Sequence, residues 1–389
     1  MIKHKIISIV GARPQFIKAA AICRAVKNSF EDSLDHLIVH TGQHYDENMS
    51  GIFFDELEIP HPDYNLEIGS GSHGYQVAEM TRGIEEILFK EKPGLVIVYG
   101  DTNSTLAGAL AASKIHIPVA HIEAGLRSFN KSMPEEINRV MTDHVSTFLF
   151  TPTKAGIENL AAEGFRTGKT PPFTIDNPAV FHCGDVMYDN TLYYSRVAEK
   201  KSAILKNLDI NGKDFVLVTI HRENNTDSVE RLTQIIRTVD EISTEYSMKC
   251  ILPMHPRTKK ILDQVKIGSS FLKDTLNPLF IITSPLSYFD TVVLEKNCRM
   301  IITDSGGVQK ESFFFRKPCL VLRPESEWKE LIELGTAKLV DADPERITDS
   351  FIEYYHHPPV NFPPVYGDGR SSEFILGEIL NFLRAGLQE

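Results

Sequence analysis

The chain has 389 residues, 42% hydrophobic and 24% charged, so it is globular in composition and long enough that two domains are expected. A formal net charge of −11 argues against a general nucleic-acid binder and against a membrane-surface binder, and any anionic ligand must be met by a local cluster of basic groups. No apolar run reaches membrane-spanning length, and Cys23, Cys183, Cys250, Cys298 and Cys319 lie far apart without a CxxC pair, which reads as reduced, mostly buried thiols of a cytoplasmic protein.

From the start of the chain, a short apolar run at Ile6–Val10 enters a Gly-Ala-Arg-Pro turn; it is too brief for a signal-peptide core. Further runs rich in β-branched residues follow at Leu37–Val39, Leu95–Tyr99, Val119–Ile122 and Phe148–Phe150. The series breaks near 164–190, where Gly164–Pro172 is turn-rich, contains no clear element and reads as a surface excursion. The runs resume at Val216–Ile220, Cys250–Leu252, Leu279–Ile282, Met300–Ile302 and Leu320–Leu322. Continuous apolar strands separated by amphipathic helices imply parallel sheets covered on both faces. The expected fold is therefore α/β, with two doubly wound Rossmann-like domains of about five strands each. The boundaries fall at 1–183 and 184–366, with a final helical segment over 367–389.

In such sheets, ligands bind where strands end and helices begin, so each of those turns is a candidate. Gly11-Ala-Arg-Pro-Gln-Phe-Ile-Lys18 follows the first strand, and its helix amides with Arg13 and Lys18 make an anion site. A capped helix with two solvated charges accounts for the same residues. Gly69-Ser-Gly-Ser-His-Gly74 has the GxGxxG form but follows only a weak strand, and reads as a flexible loop able to close over a ligand. Acids stand at Asp101 after Leu95–Tyr99, at Glu123 after Val119–Ile122, and at Glu135 and Glu136 where a helix begins. Each has a structural alternative: Asp101 as a cap, Glu123 as a solvated charge, Glu135 as the partner of Arg139 one turn on. Together they supply the carboxylates that proton abstraction and return require.

The second half offers His221-Arg222 at a strand end and His255-Pro-Arg257 after another; neighbouring arginines fit anion capture better than metal binding. No HExxH or Cys/His spacing supports a metal site. The clearest phosphate signal is Thr303-Asp-Ser-Gly-Gly-Val-Gln-Lys-Glu311, where Ser305, Gly306 and Gly307 would let helix amides approach a diphosphate. Glu311 is placed to accept hydrogen bonds from both ribose hydroxyls. Asp304 or Ser305 as a plain cap is the alternative.

With these residues in view, the chain resembles the non-hydrolysing UDP-N-acetylglucosamine 2-epimerase family. The resemblance rests on Gly11–Lys18, Tyr99-Gly-Asp-Thr102, His121-Ile-Glu-Ala-Gly-Leu-Arg127 and Met133-Pro-Glu-Glu-Ile-Asn-Arg139. His221-Arg-Glu223, Thr303–Glu311 and Tyr366-Gly-Asp-Gly369 continue it in matching order along nearly the whole chain. It implies a fold like the B-type glycosyltransferases with a cleft between the domains, a homodimer, and a last helix returning to the first domain. It also implies elimination of UDP to a 2-acetamidoglucal and re-addition with inverted C2, without redox cofactor or metal. Asp101, Glu123 and Glu135 would then be the acid/base and charge-stabilising groups. Arg13, Lys18 and His221 would stabilise the departing diphosphate, Ser305–Gly307 would hold phosphate, and Glu311 would hold the ribose; Arg222 and His255 are further candidate contacts.

Three departures bear on the substrate: Ala12 and Gln15 where Thr and Glu are common, Glu327-Trp328 where an arginine-proline pair is common, and Gly42-Gln-His-Tyr45, which keeps only part of an allosteric segment. They point to the subgroup acting on modified sugars such as UDP-2,3-diacetamido-2,3-dideoxyglucuronic acid. A B-type glycosyltransferase, a hydrolysing epimerase and an idle UDP-sugar sensor are the rival readings.

Overall fold

The structure is a computed structural model that describes residues 3–43, 57–254, 258 and 276–386. It divides into two compact units, Met1–Asn190 with Pro364–Glu389, and Thr191–Pro363. Each unit has its own core. One gathers Ile7, Ile9, Met80, Ile84, Val96 and Val98, the other Val216, Val218, Leu232, Ile235, Ile302 and Leu320.

The first unit holds a seven-stranded sheet in the order β3-β2-β1-β4-β5-β6-β7. Its strands are β1 (His4–Val10), β2 (Leu34–His40), β3 (Tyr64–Asn65), β4 (Leu95–Tyr99), β5 (Val119–Ile122), β6 (Phe148–Thr151) and β7 (Ala179–His182). The second holds a six-stranded sheet in the order β10-β9-β8-β11-β12-β13. These are β8 (Phe215–Thr219), β9 (Lys249–Pro253), β10 (Phe280–Thr283), β11 (Met300–Thr303), β12 (Cys319–Val321) and β13 (Ala337–Leu339). The ladders are parallel in both sheets, and both orders are doubly wound, reversing at β1/β4 and at β8/β11.

The expectation of about five strands per sheet was low because it missed β3, β7 and β13. All three lie at sheet edges, span two to four residues and are only partly buried, so they lack the continuous apolar run that marks a central strand. β7 and the start of the helix Val186–Lys201 fall inside the break near 164–190 that separates the two series of runs. Gly69–Gly74 is likewise not a flexible loop throughout. Ser72 caps the helix His73–Glu91 by accepting the Tyr75 N–H, which puts Gly74 inside the first turn.

Register decides which turns leave the sheet together. Tyr99 pairs with Ile122, so Gly100–Asp101 and Glu123 emerge side by side. Thr219 pairs with Thr303, so His221–Arg222 and Asp304–Gly307 do the same. The last helix, Ser371–Ala385, lies in the first unit, where Asp189 accepts the Ser371 and Ser372 N–H groups at 3.1 and 2.7 Å. Gly184 (φ +80°) leaves no room for a Cβ, which would lie 2.7 Å from the Tyr366 carbonyl oxygen.

Candidate active site

In the first unit the turn after β1 is built around Gln15, which is buried. Its Oε1 accepts the Gly11 and Ala12 N–H groups at 2.8 and 3.1 Å, and its Nε2 donates to the Tyr99 carbonyl at 3.0 Å and to Thr105 Oγ1 at 2.9 Å. One amide thereby fixes the ends of β1 and β4 to each other at the reversal of strand order. Gly11 is required there, since a Cβ would lie 2.1 Å from both Ser104 Oγ and Thr41 Oγ1. Arg13 is exposed at the start of the helix Arg13–Ala25.

Lys18, one turn further, reaches Glu123, with Nζ 2.7 Å from Oε1 and both side chains about nine-tenths buried. Glu123 adopts a left-handed backbone (φ 74°), as does Gly100 (φ 64°) beside it, where an added Cβ would sit 3.0 Å from Lys18 Nζ. A non-glycine residue held at positive φ costs energy that its surroundings must supply, and such positions cluster at functional sites. Here the Glu123 and Ala124 N–H groups both donate to the Phe150 carbonyl, each at 3.0 Å.

Asp101 accepts a hydrogen bond from Arg139 Nη2, and Arg139 Nη1 donates to Glu136 Oε2 at 3.0 Å. Burial disfavours the Arg139 charge, but the charges of Asp101, Glu136 and Glu123 outweigh it and raise the guanidinium pKa. Glu136 is buried and accepts the Ser128 and Phe129 N–H groups, each at 2.9 Å. Arg139 therefore pairs with Glu136 and Asp101, while Glu135 is exposed on the same first turn. Behind the turn, His121 Nε2 lies 2.7 Å from the Gly100 carbonyl and Nδ1 lies 2.6 Å from Asp143. Burial raises the Asp143 pKa, and the neighbouring His121 and Arg127 more than reverse it, leaving the carboxyl below the ordinary value. The result is Lys18, Glu123, Arg139 and Asp101 drawn together at the carboxyl ends of β1, β4 and β5, braced from below.

In the second unit the corresponding brace is Asp304, which is fully buried. Its carboxylate accepts the His221 and Arg222 N–H groups and Asn225 Nδ2, all at 3.1 Å, and lies 3.2 Å from His221 Nδ1. Ser305 caps the helix Gly306–Phe314, so of the two candidate caps Asp304 instead ties the glycine turn to the β8 turn. The two glycines differ. A Cβ on Gly306 would lie 2.5 Å from Glu327 Oε1, whereas a Cβ on Gly307 would meet nothing nearer than Ser305 Oγ at 3.9 Å. Packing therefore gives no reason for glycine at 307, which is exposed and has no left-handed φ. Glu327 lies over this helix start, 2.8 Å from Arg323 Nη1 and 3.8 Å from Arg222 Nη2. Trp328 donates its indole N–H to the Gly306 carbonyl at 2.9 Å, and its ring carries Lys310 Nζ at 4.2 Å from the centroid. Glu311 is buried further along the helix.

Lys18, Asp101 and Glu123 thus share one cluster, and His221, Arg222 and Ser305–Gly307 share another; His255, like His44 and Tyr45, lies outside the described residues. Pattern reading overlooked Arg139, Asp143 and Asp304 as braces. All three are buried charges, two on the amphipathic helix Pro134–His144 and one at a strand end, and burial of a charge is the sign that each is paired. Among the described residues no group of acids, histidines and cysteines is arranged to hold a metal ion, and no helix is long and apolar enough to cross a membrane.

The family model described as UDP-N-acetylglucosamine 2-epimerase matches residues 27–380. The chain belongs to that family. Membership makes it an isomerase acting at carbon 2 of a UDP-sugar. It is 48% identical over 378 residues to a UDP-N-acetylglucosamine 2-epimerase homolog of Methanococcus maripaludis, covering 97% of this chain and 99% of that one. It is 43% identical over 371 residues to the UDP-2,3-diacetamido-2,3-dideoxy-D-glucuronate 2-epimerase of Pseudomonas aeruginosa, covering 95% and 98%. Among solved structures, the UDP-GlcNAc 2-epimerase of Methanocaldococcus jannaschii in complex with UDP-GlcNAc and UDP superposes with a TM-score of 0.82 at 41% identity, covering 97% and 99%. The two-domain glycosyltransferase-B-like α/β fold of this epimerase family is accordingly the fold of this chain.

Proposed function

We propose that the chain converts UDP-GlcNAc to UDP-ManNAc without hydrolysis, as a cytoplasmic homodimer supplying precursors of a surface polysaccharide. The observation that carries this reading is the alternation of Asp101, Arg139, Glu123 and Lys18 at the carboxyl ends of β1, β4 and β5. The C2 hydrogen of the sugar is weakly acidic, so the bond to UDP must loosen first and positive charge must develop on the ring. Carboxylates stabilise that charge, and cations stabilise the leaving diphosphate. Asp101, Glu123 and Glu135 take these acid/base and electrostatic roles. Arg13, Lys18, His221, Arg222 and His255 meet the diphosphate, Ser305–Gly307 hold it through backbone N–H groups, and Glu311 accepts from the ribose.

In the reaction a base takes the C2 proton while the C1–O bond breaks and its electron pair leaves with UDP. The resulting 2-acetamidoglucal then takes UDP back at C1 and a proton on the opposite face of C2. A second substrate, UDP-2,3-diacetamido-2,3-dideoxyglucuronic acid, is favoured by the 43% identity to the Pseudomonas aeruginosa enzyme of that name and by Glu327-Trp328 beside the glycine turn. Incubating the protein with each donor in D₂O tests both. The manno epimer of one donor, carrying deuterium at C2, is expected. Sugar transfer only to an added acceptor would instead make it a glycosyltransferase, accumulating free sugar a hydrolysing epimerase, and no change in either donor a sensor.

A further inference from the structure

Glu295, on the helix Tyr288–Asn297, is 1% exposed, and neither carboxyl oxygen receives a hydrogen bond from an N–H or hydroxyl among the described residues. The group it does meet is another acid, Glu311, on the helix Gly306–Phe314. Two carboxylates in contact away from water repel each other strongly, and each accepts hydrogen bonds without donating any. The contact becomes a bond only when the pair keeps one proton. Burial, followed by the neighbouring Glu311, holds Glu295 well above the usual carboxylate range, so the proton stays on Glu295. The Cys298 thiol, which donates to the Glu295 backbone carbonyl at 3.2 Å, is itself pushed up, by burial first and then by Glu295 and Cys319 against the opposing charge of Lys317. A buried acid that receives no hydrogen bond from an N–H or hydroxyl is a liability for folding, which calls for a reason to keep it.

We propose that Glu295 is a positioning residue, whose carboxylic acid donates a hydrogen bond to the Glu311 carboxylate and thereby holds that acceptor in place for the ribose hydroxyls of the nucleotide. The inference rests on Glu311 as the ribose contact. A carboxylate has several acceptor positions, so a hydrogen bond from Glu295 is compatible with acceptance from ribose hydroxyls. It also restrains a side chain that would otherwise lose rotamer freedom on binding.

Calorimetric titration of the full chain with UDP and with 2′,3′-dideoxy-UDP, from neutral to alkaline pH, tests this. In the natural protein, UDP affinity should fall as the shared proton is removed at alkaline pH, and dideoxy-UDP affinity should not follow it. E295Q keeps a donor toward Glu311 but cannot titrate, so it should restore UDP binding and abolish the alkaline fall. E295L should lose about 10-fold in UDP affinity, one hydrogen bond to a charged group, and little for dideoxy-UDP. Equal losses for both ligands in E295L, or an E295Q profile that keeps the alkaline fall, would overturn the proposal. If E311A binds UDP no more weakly than dideoxy-UDP, it is the ribose assignment itself that fails. Should E295L not fold, the E295Q profile decides alone.

Discussion

Replacing Gly307 by alanine should push stability and binding in opposite directions. The residue sits in the first turn of the helix Gly306–Phe314 without a left-handed φ, and its new methyl would find 3.9 Å of clearance to the nearest atom, Ser305 Oγ. Glycine in a helix costs roughly 0.5–1 kcal/mol relative to alanine through the entropy of the unfolded chain, with a helix start at the lower end. A gain of about 0.5 kcal/mol raises the melting temperature of a unit this size by about 1–2 °C. The same methyl stands where the helix N–H groups would meet a diphosphate. Losing one charge-assisted hydrogen bond is worth about 1.5–3 kcal/mol, or roughly 10- to 100-fold in affinity. Thermal melts without ligand and calorimetric titration with UDP read the two effects separately. G307A that melts slightly higher yet binds UDP as tightly as the natural protein would refute the placement of the diphosphate at this turn.

Neighbouring first-turn acids should separate in the same manner. E135Q is expected to cut the epimerisation rate by about 10²–10⁴-fold with stability within about 0.5 kcal/mol. E136Q should instead cost about 2–4 kcal/mol, because Glu136 accepts two backbone N–H groups and pairs with Arg139; denaturant melts and deuterium exchange at C2 distinguish them. Asp143, whose pKa is depressed in the folded state, contributes stability that is full above the ordinary carboxylate value and is lost as pH falls below about 4. Urea melts of D143N should therefore show a large deficit at neutral pH that narrows in acid, and a pH-independent deficit would contradict the pairing. Removing the negative charge over the glycine turn in E327Q should raise UDP affinity about two- to fivefold, the scale of a charge at a helix N-terminus; a fall in affinity would show that Glu327 serves mainly to orient Arg222 and Arg323.

Much of the candidate site is legible in the sequence because its residues follow strands. Ile6–Val10, Leu95–Tyr99 and Met300–Ile302 announce themselves as buried strands, and ligands bind at the carboxyl ends of parallel strands, so Lys18, Asp101 and the Ser305–Gly307 turn stand out in the sequence as candidates. Edge strands such as β3 and β13 gave no comparable signal, since half-exposed strands of two or three residues look like loops. Pairing was also opaque. Arg139 stands four residues after Glu135 and three after Glu136, both allowed on a helix, and only the fold turned it to Glu136 and across to Asp101. Glu295 was invisible for a similar reason. Within Tyr288–Asn297 it reads as one more charge on a helix with no marked polar face, and its enclosure depends on what the neighbouring elements cover.

Asp304 anchors two segments at once, the turn at His221–Arg222 and the start of the glycine helix. A change there would disturb both segments together, so if they hold the nucleotide as proposed, variation in which sugar is accepted has little scope at this point. Glu327, whose carboxylate bonds to other side chains and holds up no backbone in the described contacts, could vary without disturbing the turn proposed to hold the nucleotide. Relatives with different sugars would then differ first along Arg323–Trp328 and last at Asp304.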